Sequence, residues 1–371
     1  MKLLHLLYES KDDAFGIGGV GIRAYEIYHR LKDRHDITLL CKRYPGAVDG
    51  FREGLKHIFV GIESRSLMKT LLSYAFHASR FMKQRGSEFD LIVEEFSPAV
   101  PTFLSRYAER PVILQVQGYT GKKYFEKYNI LFATALYCRE RREPKQYKNL
   151  IFVSDVSRRR FDLSPSSDVR VISNGISAEL LDLAIGESDY ILYLGRIDIH
   201  HKGLDILIRA FQEVAFEFSK IRLVVAGDGR DRKKLSQLLT TLPERTRENI
   251  VLQGWVDGDE KESLISNALF LVVPSRYETQ GIVALEAMAC GKALITSDIT
   301  ELEYVRSSGA GIAFRSGDAG SLAAAMRNLL LSKDRALMGE KGRESVRELT
   351  WENIALRYED FLHDVLRKHS A

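Results

Sequence analysis

Residues 277–291 read Tyr-Glu-Thr-Gln-Gly-Ile-Val-Ala-Leu-Glu-Ala-Met-Ala-Cys-Gly and decide how the rest of the chain is interpreted. The apolar run 269–273 precedes them and predicts a buried strand, which Pro274-Ser275-Arg276 ends. A polar loop with Glu278 follows, and then a helix with Glu286 that ends at the final glycine. Because the first N–H groups of a helix lack partners within it, this segment favours an anionic ligand that also offers hydroxyl groups to the two carboxylates.

A second constellation follows another predicted strand, 190–195. Gly195 closes that strand, Arg196 comes next, and Lys202 precedes the glycine that opens a helix. Arg can fork onto two oxygens and Lys acts as a point charge, so the pattern favours a diphosphate at the carboxyl end of the strand. The alternative is a turn with ordinary solvated charges.

Strand and helix patterns alternate along the chain and restart near residue 190, which predicts two doubly wound, Rossmann-like α/β domains facing a central cleft. We expect the first domain over 1–183 and the second over 184–349. The amphipathic segment 350–371 is expected to be a helix that packs back on the first domain. The sequence also predicts helices over 66–85, 98–108, 124–142 and 203–218.

Composition is that of a globular protein large enough for two domains, with 371 residues, 45% hydrophobic and 28% charged. No apolar run approaches the roughly 20 residues of a membrane span, and the start of the chain reads as a strand rather than a leader. The three cysteines suit reduced thiols in the cytoplasm. His200-His201 is adjacent rather than at helical spacing, and we expect no metal site and no cofactor.

Charge is uneven along the chain. Residues 1–180 carry 29 Lys and Arg against 21 Asp and Glu, whereas the remainder carries 25 against 29. Two basic, aromatic segments, 66–85 and 122–142, could contact an anionic membrane at its inner face or a lipid-linked acceptor. The alternative for both is an ordinary surface helix with its apolar face in the core. No nucleic-acid partner is expected.

The segment from Gly16 to Gly21 spells G-x-G-x-x-G, which is the dinucleotide fingerprint of NAD(P) oxidoreductases. However, residues 9–15 separate it from the first strand, and the second strand ends in Cys41-Lys42-Arg43 with no acid for a ribose. A loop at a helix N-terminus that approaches a phosphate or substrate is favoured, a plain tight turn is the second interpretation, and an oxidoreductase remains an alternative.

Taken together, these motifs resemble the retaining glycosyltransferases of family 4, which have the GT-B architecture of two Rossmann-like domains. The resemblance is dense over 190–305, where Gly195-Arg196…Lys202-Gly203 and the Glu-x7-Glu spacing occur together. It is weaker in Gly18-Gly19, 153–154 and 172–175. It implies a hexosyltransferase that moves a sugar from a nucleoside diphosphate sugar to a saccharide or lipid-linked acceptor, in bacterial surface polysaccharide or glycolipid synthesis. It also implies that domain 1–183 binds the acceptor and that domain 184–349 binds the nucleotide sugar.

The resemblance also implies roles for individual residues. Arg196 and Lys202 would stabilise the leaving diphosphate without a metal. Glu286 would bind the ribose hydroxyls and Glu278 the donor sugar. Further donor-binding residues implied by the resemblance are Gly18, Gly19, Gly195, Trp255, Val256, Thr279, Gln280 and Gly281.

The chain departs from the family pattern at two positions. Gln280 stands where an aromatic residue is usual, and Gln117 stands where a histidine is common, so that no general base is expected there. Glu94 and Glu95 at a strand end, with Gln117, are candidate acceptor-side residues. The departures leave a catalytically silent binding subunit as a further alternative.

Overall fold

The computed structural model describes residues 1–11, 17–64 and 66–370. Gly16, the first glycine of the literal G-x-G-x-x-G motif, lies outside these residues. Over the part of the chain that is described, no helix is both long enough and apolar enough to cross a membrane.

The chain forms two compact units, and the first is discontinuous in sequence. Met1–Asn174 and Trp351–Ala371 make up the first unit, and Gly175–Thr350 makes up the second. Each unit is built around a mainly parallel sheet with helices in the crossovers. The predicted fold class of two Rossmann-like α/β domains is therefore confirmed.

The first unit contains an eight-stranded sheet. Its strands are β1 (Lys2–Leu6), β2 (Asp36–Lys42), β3 (Gly50–Arg52), β4 (Leu55–Val60), β5 (Leu91–Glu95), β6 (Val112–Val116), β7 (Asn149–Phe152) and β8 (Asp168–Val171). They are ordered β3-β4-β2-β1-β5-β6-β7-β8, and all neighbours are parallel except β3 and β4. The central strand β1 is flanked by β2 and β5, so its carboxyl end lies beside those of both neighbours.

The helices of the first unit are α1 (Gly19–Leu31), α2 (Leu67–Arg85), α3 (Tyr124–Lys127), α4 (Ile130–Arg142), α5 (Asp155–Arg159) and α14 (Trp351–Ser370). The predicted helix 98–108 is wrong, because this segment forms only a short 3-10 turn, Leu104–Arg106. Pro98 and Pro101 lack the N–H groups that a helix would use, and each disfavours helical backbone in the residue before it.

The predicted helix 124–142 is also wrong, because it is two helices, α3 and α4. Tyr128 is extended between them, and Asn129 caps α4 by accepting a hydrogen bond from the Phe132 N–H at 3.0 Å. An asparagine cap satisfies one of the N–H groups that begin a helix, which favours a new start at this point.

The second unit contains a six-stranded parallel sheet. The strands of this sheet are β9 (Tyr190–Leu194), β10 (Arg222–Ala226), β11 (Ile250–Gly254), β12 (Phe270–Val273), β13 (Leu294–Ser297) and β14 (Gly311–Phe314). The helices of the second unit are α6 (Leu204–Glu217), α7 (Arg232–Thr240), α8 (Glu244–Arg247), α9 (Gly258–Ser266), α10 (Ile282–Ala289), α11 (Glu303–Ser307), α12 (Ala319–Leu331) and α13 (Arg335–Val346). The strands are ordered β11-β10-β9-β12-β13-β14. Ile191 and Tyr193 pack into one buried cluster and Tyr190 and Leu192 into another. The sheet is thus covered on both faces, as continuous apolar strands require.

Helix α14 belongs to the first unit although it ends the sequence. Trp351, Ile354, Tyr358 and Phe361 recur at helical spacing and are almost completely buried. The Tyr358 hydroxyl lies 3.3 Å from that of Tyr28 on α1. Each such side chain contributes about 1.5–3 kcal/mol of hydrophobic stabilisation when removed from water, so the helix is an integral part of this core.

Candidate functional site

The loop between β9 and α6 carries Gly195, Arg196 and Lys202, which the sequence predicts for diphosphate binding. Gly203 caps α6 with φ +68°, and a Cβ on it would lie 2.0 Å from the Pro274 carbonyl oxygen. This loop therefore packs directly on the backbone that follows β12. Arg196 is exposed, and among the described residues its guanidinium makes no hydrogen bond or ion pair.

Asp198 shapes this loop from within. It is 5% exposed, and its carboxylate accepts hydrogen bonds from the His201 N–H at 3.0 Å and from Arg230 Nη2 at 2.8 Å. The Lys202 N–H donates to the Asp198 carbonyl oxygen at 2.9 Å. The backbone on either side of Lys202 is thus held by hydrogen bonds.

The structure brings Lys202 and Glu278 together although they are 76 positions apart. Their side chains form an ion pair in which each is largely buried, and the Ser275 hydroxyl donates to the same carboxylate oxygen at 2.9 Å. A lysine ammonium has three protons, so Lys202 can hold Glu278 and still donate to an anion. Both predicted residues lie in loops at the carboxyl edge of the sheet, as does Arg196, which directly follows β9.

Arg276 ties the two loops together and was not predicted as a site residue. Its guanidinium donates to both oxygens of Asp205, at 2.8 and 2.7 Å, and to the His200 carbonyl oxygen at 2.8 Å. Its backbone N–H donates to the His201 carbonyl oxygen at 2.9 Å. A bidentate arginine–carboxylate pair fixes orientation as well as distance. Arg276 therefore fixes the position of the loop after β9 relative to the loop after β12.

Glu286 lies in α10, as predicted, and is 9% exposed. Its Oε1 pairs with Lys261 Nζ of α9 at 2.7 Å. Burial lowers the pKa of Lys261, but the Glu286 charge and hydrogen bond outweigh it and raise the pKa above its ordinary value. Lys261, which the sequence pattern does not single out, therefore holds one oxygen of Glu286 and leaves Oε2 for another donor.

The segment Thr279–Gly281 leads into the N-terminus of α10, and Gly281 is the residue that caps it. Thr279 is exposed, whereas Gln280 and Gly281 are half-buried. The first N–H groups of α10 have no acceptors within the helix, so the helix start can accept an anion. The predicted site residues from 278 to 286 thus surround one helix start.

Trp255 and Val256, two of the predicted donor-binding residues, have different environments. Trp255 is 62% exposed and donates from its indole nitrogen to Asp257 at 3.1 Å. Val256 is buried in the same core cluster as Ala284 and Leu285 of α10. The side chain of Val256 therefore packs in the core, and Val256 can contact a ligand only through its backbone.

In the first unit, Gly18 caps α1 and Gly19 begins it. The N–H groups of Gly18 and Gly21 both donate to Oε2 of Glu9, each at 2.9 Å. A carboxylate of the chain itself thus occupies the anion-binding start of α1. The described part of the glycine motif forms a helix N-terminus, as predicted.

Glu94 and Glu95 end β5 and point to opposite faces of the sheet, as successive strand residues must. Glu94 accepts hydrogen bonds from the Tyr147 hydroxyl at 2.5 Å and from the Thr102 hydroxyl. Burial raises its pKa to about 8, against the lowering effect of Tyr147. Glu94 is therefore engaged by the protein interior and is separated from Glu95.

Glu95 reaches the other predicted acceptor-side residue, Gln117. Gln117 Nε2 donates to the two carboxylate oxygens at 3.1 and 3.3 Å, and Gln115 donates to one of them. Burial raises the pKa of Glu95 to about 8, while the two glutamine hydrogen bonds and the Arg23 charge lower it. The neighbouring His5 is buried and its pKa falls to about 3, chiefly because of that burial.

The two basic, aromatic segments both expose apolar side chains. On α2, Leu72 and Phe76 are exposed. Ile130 and Leu131, at the start of α4, are 72% and 83% exposed and follow Lys127, which is also exposed. The described residues of these segments therefore do not bury their apolar faces completely.

The chain is similar in sequence to glycosyltransferases along most of its length. The family model described as Glycosyltransferase Family 4 matches residues 17–180, and the one described as Glycosyl transferases group 1 matches residues 188–332. The chain is 28% identical to an uncharacterized glycosyltransferase of Methanocaldococcus jannaschii, over 70% of this chain and 67% of that one. It is 31% identical to the phosphatidyl-myo-inositol mannosyltransferase of Mycobacterium leprae, over 55% of this chain and 56% of that one.

Solved structures share the fold over almost the whole chain. Sucrose-phosphate synthase from Thermosynechococcus elongatus superimposes with a TM-score of 0.79 at 21% identity, covering 99% of each chain. Anabaena HepE in complex with UDP and glucose superimposes with a TM-score of 0.74 at 18% identity, covering 98% of this chain and 99% of that one. Both likenesses concern the fold.

Proposed function

Because the chain belongs to the glycosyltransferases, with a family 4 domain followed by a group 1 domain, we propose that it transfers a sugar from a nucleoside diphosphate sugar to a saccharide or lipid-linked acceptor. The observation that carries this proposal is the ion pair between Lys202 and Glu278, which precedes α10, with exposed Arg196 in the same loop as Lys202. It combines two cations, a carboxylate and a helix N-terminus, which suit a diphosphate joined to a hydroxyl-bearing ring.

Arg196 and Lys202 stabilise the leaving nucleoside diphosphate. Negative charge develops on the diphosphate as the bond to the sugar breaks, and cations already in place lower the energy of that state. Lys202 is oriented by its ion pair with Glu278, whereas Arg196 is exposed and has no hydrogen-bond or ion-pair partner among the residues that the structure describes. The Arg196 side chain can therefore rotate to bind the diphosphate without breaking an existing ion pair, unlike that of Lys202.

Glu278 orients the donor sugar, and Glu286 binds the ribose through the oxygen that Lys261 leaves open. The backbone of Thr279, Gln280 and Gly281 contributes N–H groups between the two carboxylates. Each carboxylate accepts hydrogen bonds from sugar hydroxyls, which fixes the ring relative to the cations.

We further propose retention of anomeric configuration and independence from metal. The acceptor attacks the donor carbon from the face that the diphosphate leaves, and the departing phosphate oxygen takes the acceptor proton. The fixed cations supply the charge stabilisation that a metal would otherwise give. Retention is tested by the anomer of the first product in proton NMR, and metal independence by activity in EDTA after chelator treatment; an inverted product or loss of activity contradicts the respective claim.

The first unit provides the acceptor side. Gln117 is half-buried after β6, and Glu95 orients its amide by accepting hydrogen bonds from Nε2. Its amide oxygen, which has no partner within the described part of the chain, can accept from a hydroxyl group of the acceptor. The M. leprae relative is named as a phosphatidyl-myo-inositol mannosyltransferase, which supports a lipid-linked acceptor. Exposed Ile130 and Leu131 beside Lys127 are then the surface that meets an anionic membrane, at the inner face of the cell.

The function is tested by donor binding and by transfer. Thermal unfolding is measured with UDP, GDP, ADP and their sugars, beginning with UDP-glucose, because a ligand that binds only the folded state raises apparent stability. Arg196→Ala should lower transfer by about 100-fold, the cost of losing one such charged contact in a transition state. Arg315→Ala is the matched control, since Arg315 follows β14 at the same edge and is 80% exposed by side chain.

Stabilisation by NADH but by no nucleoside diphosphate would overturn the proposed function in favour of an oxidoreductase. Donor binding without transfer to any saccharide or lipid acceptor would favour a silent subunit. Sedimentation with phosphatidylglycerol vesicles tests the membrane surface: Leu131→Ser should reduce it, whereas Leu331→Ser, at a 73% exposed leucine of the second unit, should not.

A further inference from the structure

Three side chains of the first unit form a group that no donor or acceptor role uses. His35 lies in the turn between α1 and β2, and Glu359 and His363 are one turn apart on α14. One ligand atom from each lies within 4.8 Å of the others. Residues four apart on a helix share a face, so Glu359 and His363 approach His35 from the same side.

We propose that His35, Glu359 and His363 bind a divalent transition metal ion of the zinc class. Two imidazoles and one carboxylate are ligands that Zn²⁺, Co²⁺ and Ni²⁺ accept, whereas Mg²⁺ and Ca²⁺ prefer oxygen ligands throughout. Three protein ligands leave the fourth position of a tetrahedral ion to water.

The distances suit this ion with little rearrangement. Ligand atoms of a tetrahedral zinc lie about 3.3 Å apart when each bond is about 2.0–2.1 Å. His35 Nε2 and Glu359 Oε1 are 2.6 Å apart, so they need to separate slightly. The His363 ring is exposed, and its centroid is 5.7 Å from that of His35. Rotation of this one side chain therefore completes the ligand set.

Arg34 orients the carboxylate. Its Nη1 lies 2.7 Å from Glu359 Oε2, which leaves Oε1 directed at His35. Polar contacts that hold the ligating side chains from behind usually support a metal site. The Arg34 charge and the amino group of Met1, 3.5 Å from His35 Nδ1, oppose a cation and limit the affinity.

Helix α14 is fixed on α1 independently of any ion. Besides the Tyr28–Tyr358 contact, Arg30 Nε lies 2.6 Å from Glu352 Oε1. The fold thus holds the backbone that carries Glu359 and His363 close to α1 before a metal arrives. His35 precedes β2, at the amino edge of the sheet, whereas Glu95 ends β5 at the carboxyl edge. The ion would therefore join α14 to the turn before β2 and would not take part in transfer.

The sequence contains one part of this signal. Glu359-x3-His363 is a helical ligand spacing, and only the fold shows that the third ligand stands 324 residues earlier, at His35. The expectation of no metal site was based on His200-His201, which are elsewhere.

The test uses the full chain without a histidine tag, after chelator treatment. Zinc binding is measured by competition with a chromophoric chelator, the Co²⁺ complex by its visible absorption, and thermal unfolding with and without Zn²⁺. One zinc should bind and raise the unfolding temperature, and Mg²⁺ should not. His363→Gln should weaken zinc binding at least about tenfold and remove the stabilisation.

His369→Gln is the matched control, because His369 is another exposed histidine of α14. It should bind zinc as the wild type does, and transfer activity should be the same in both variants. Failure of the wild type to bind zinc, or equal affinity in His363→Gln, overturns the proposal. Because neither result depends on donor binding, it stands or fails separately from the proposed function.

Discussion

Replacement of Gly203 by alanine should destabilise the second unit far more than the same change at Gly317. Both glycines have positive φ, +68° and +86°, so both variants incur the left-handed backbone cost of about 1–2 kcal/mol. They differ in the space around the added methyl group. No atom of the described residues lies within 4 Å of a Cβ at Gly317, whereas a Cβ at Gly203 would lie 2.0 Å from the Pro274 carbonyl oxygen. That backbone would have to retreat by about 1 Å.

The displaced contact joins the loop of Lys202 to the loop of Glu278. Together with the backbone cost, separation of the two loops should destabilise the unit by about 3 kcal/mol or more, in the range of overpacked or strained positions. A domain of this size loses about 2–4 °C of unfolding temperature per kcal/mol. We therefore expect a loss of about 2–8 °C for Gly317→Ala and about 6–12 °C or more for Gly203→Ala.

Scanning calorimetry of the full chain measures both variants beside the wild type. Since both changes lie in the same unit, their difference isolates the steric term from the conformational one. Equal shifts would refute the reasoning, because they would show that the loops do not depend on their close approach. A Gly203→Ala protein that also loses donor-induced stabilisation would link this packing to the site.

Four further outcomes are expected. Lys261→Met should weaken nucleotide binding about tenfold, since buried Glu286 loses its partner; unchanged affinity in a thermal titration would contradict this. Arg276→Lys should reduce transfer about tenfold, because lysine cannot form the bidentate pair with Asp205, and should change the unfolding temperature by only a few degrees. An unchanged kcat/KM would contradict a role for Arg276 in positioning the two loops of the site. Asn129→Ala should cost about 1 kcal/mol in urea unfolding, the usual value of a helix cap. Glu95 has a pKa of about 8 in the folded state, whereas an unfolded chain loses this proton above about pH 4.5. This group therefore lowers the free energy of unfolding as the pH rises from about 4.5 to about 8. Glu95→Gln should flatten that fall in urea unfolding, and a pH profile parallel to that of the wild type would contradict the assignment.

Most of the sheet could be predicted because its strands are short apolar runs between turn residues. The strands β3, β4 and β14 escaped prediction. Strand β4 alternates buried and half-buried residues, β3 has only three residues, and β14 has only four residues at the edge of its sheet. The helices predicted at 98–108 and 124–142 failed for local reasons that the sequence does contain, namely two prolines and an asparagine cap.

The candidate site was predictable only where its chemistry is encoded by spacing along the chain. Glu278, Glu286 and Lys202 stand out because glycines and strand ends flank them. Lys261 and Arg276 do not, because their partners are fixed by the way strands are ordered in the sheet, and that order is not a local property of the sequence.

The chain assembles its first unit from both ends, and this affects the order of events during synthesis. A ribosome completes residues up to 174 and then makes the whole second unit before the segment that forms α14 emerges. At about 5–20 residues per second, this interval lasts roughly 10–35 s. Until then the surface of α1 around Tyr28, which α14 covers in the finished unit, stays open to chaperones or to neighbouring nascent chains. Truncation before Trp351 should accordingly lower the yield of soluble protein, because the removed segment is part of the core of the first unit.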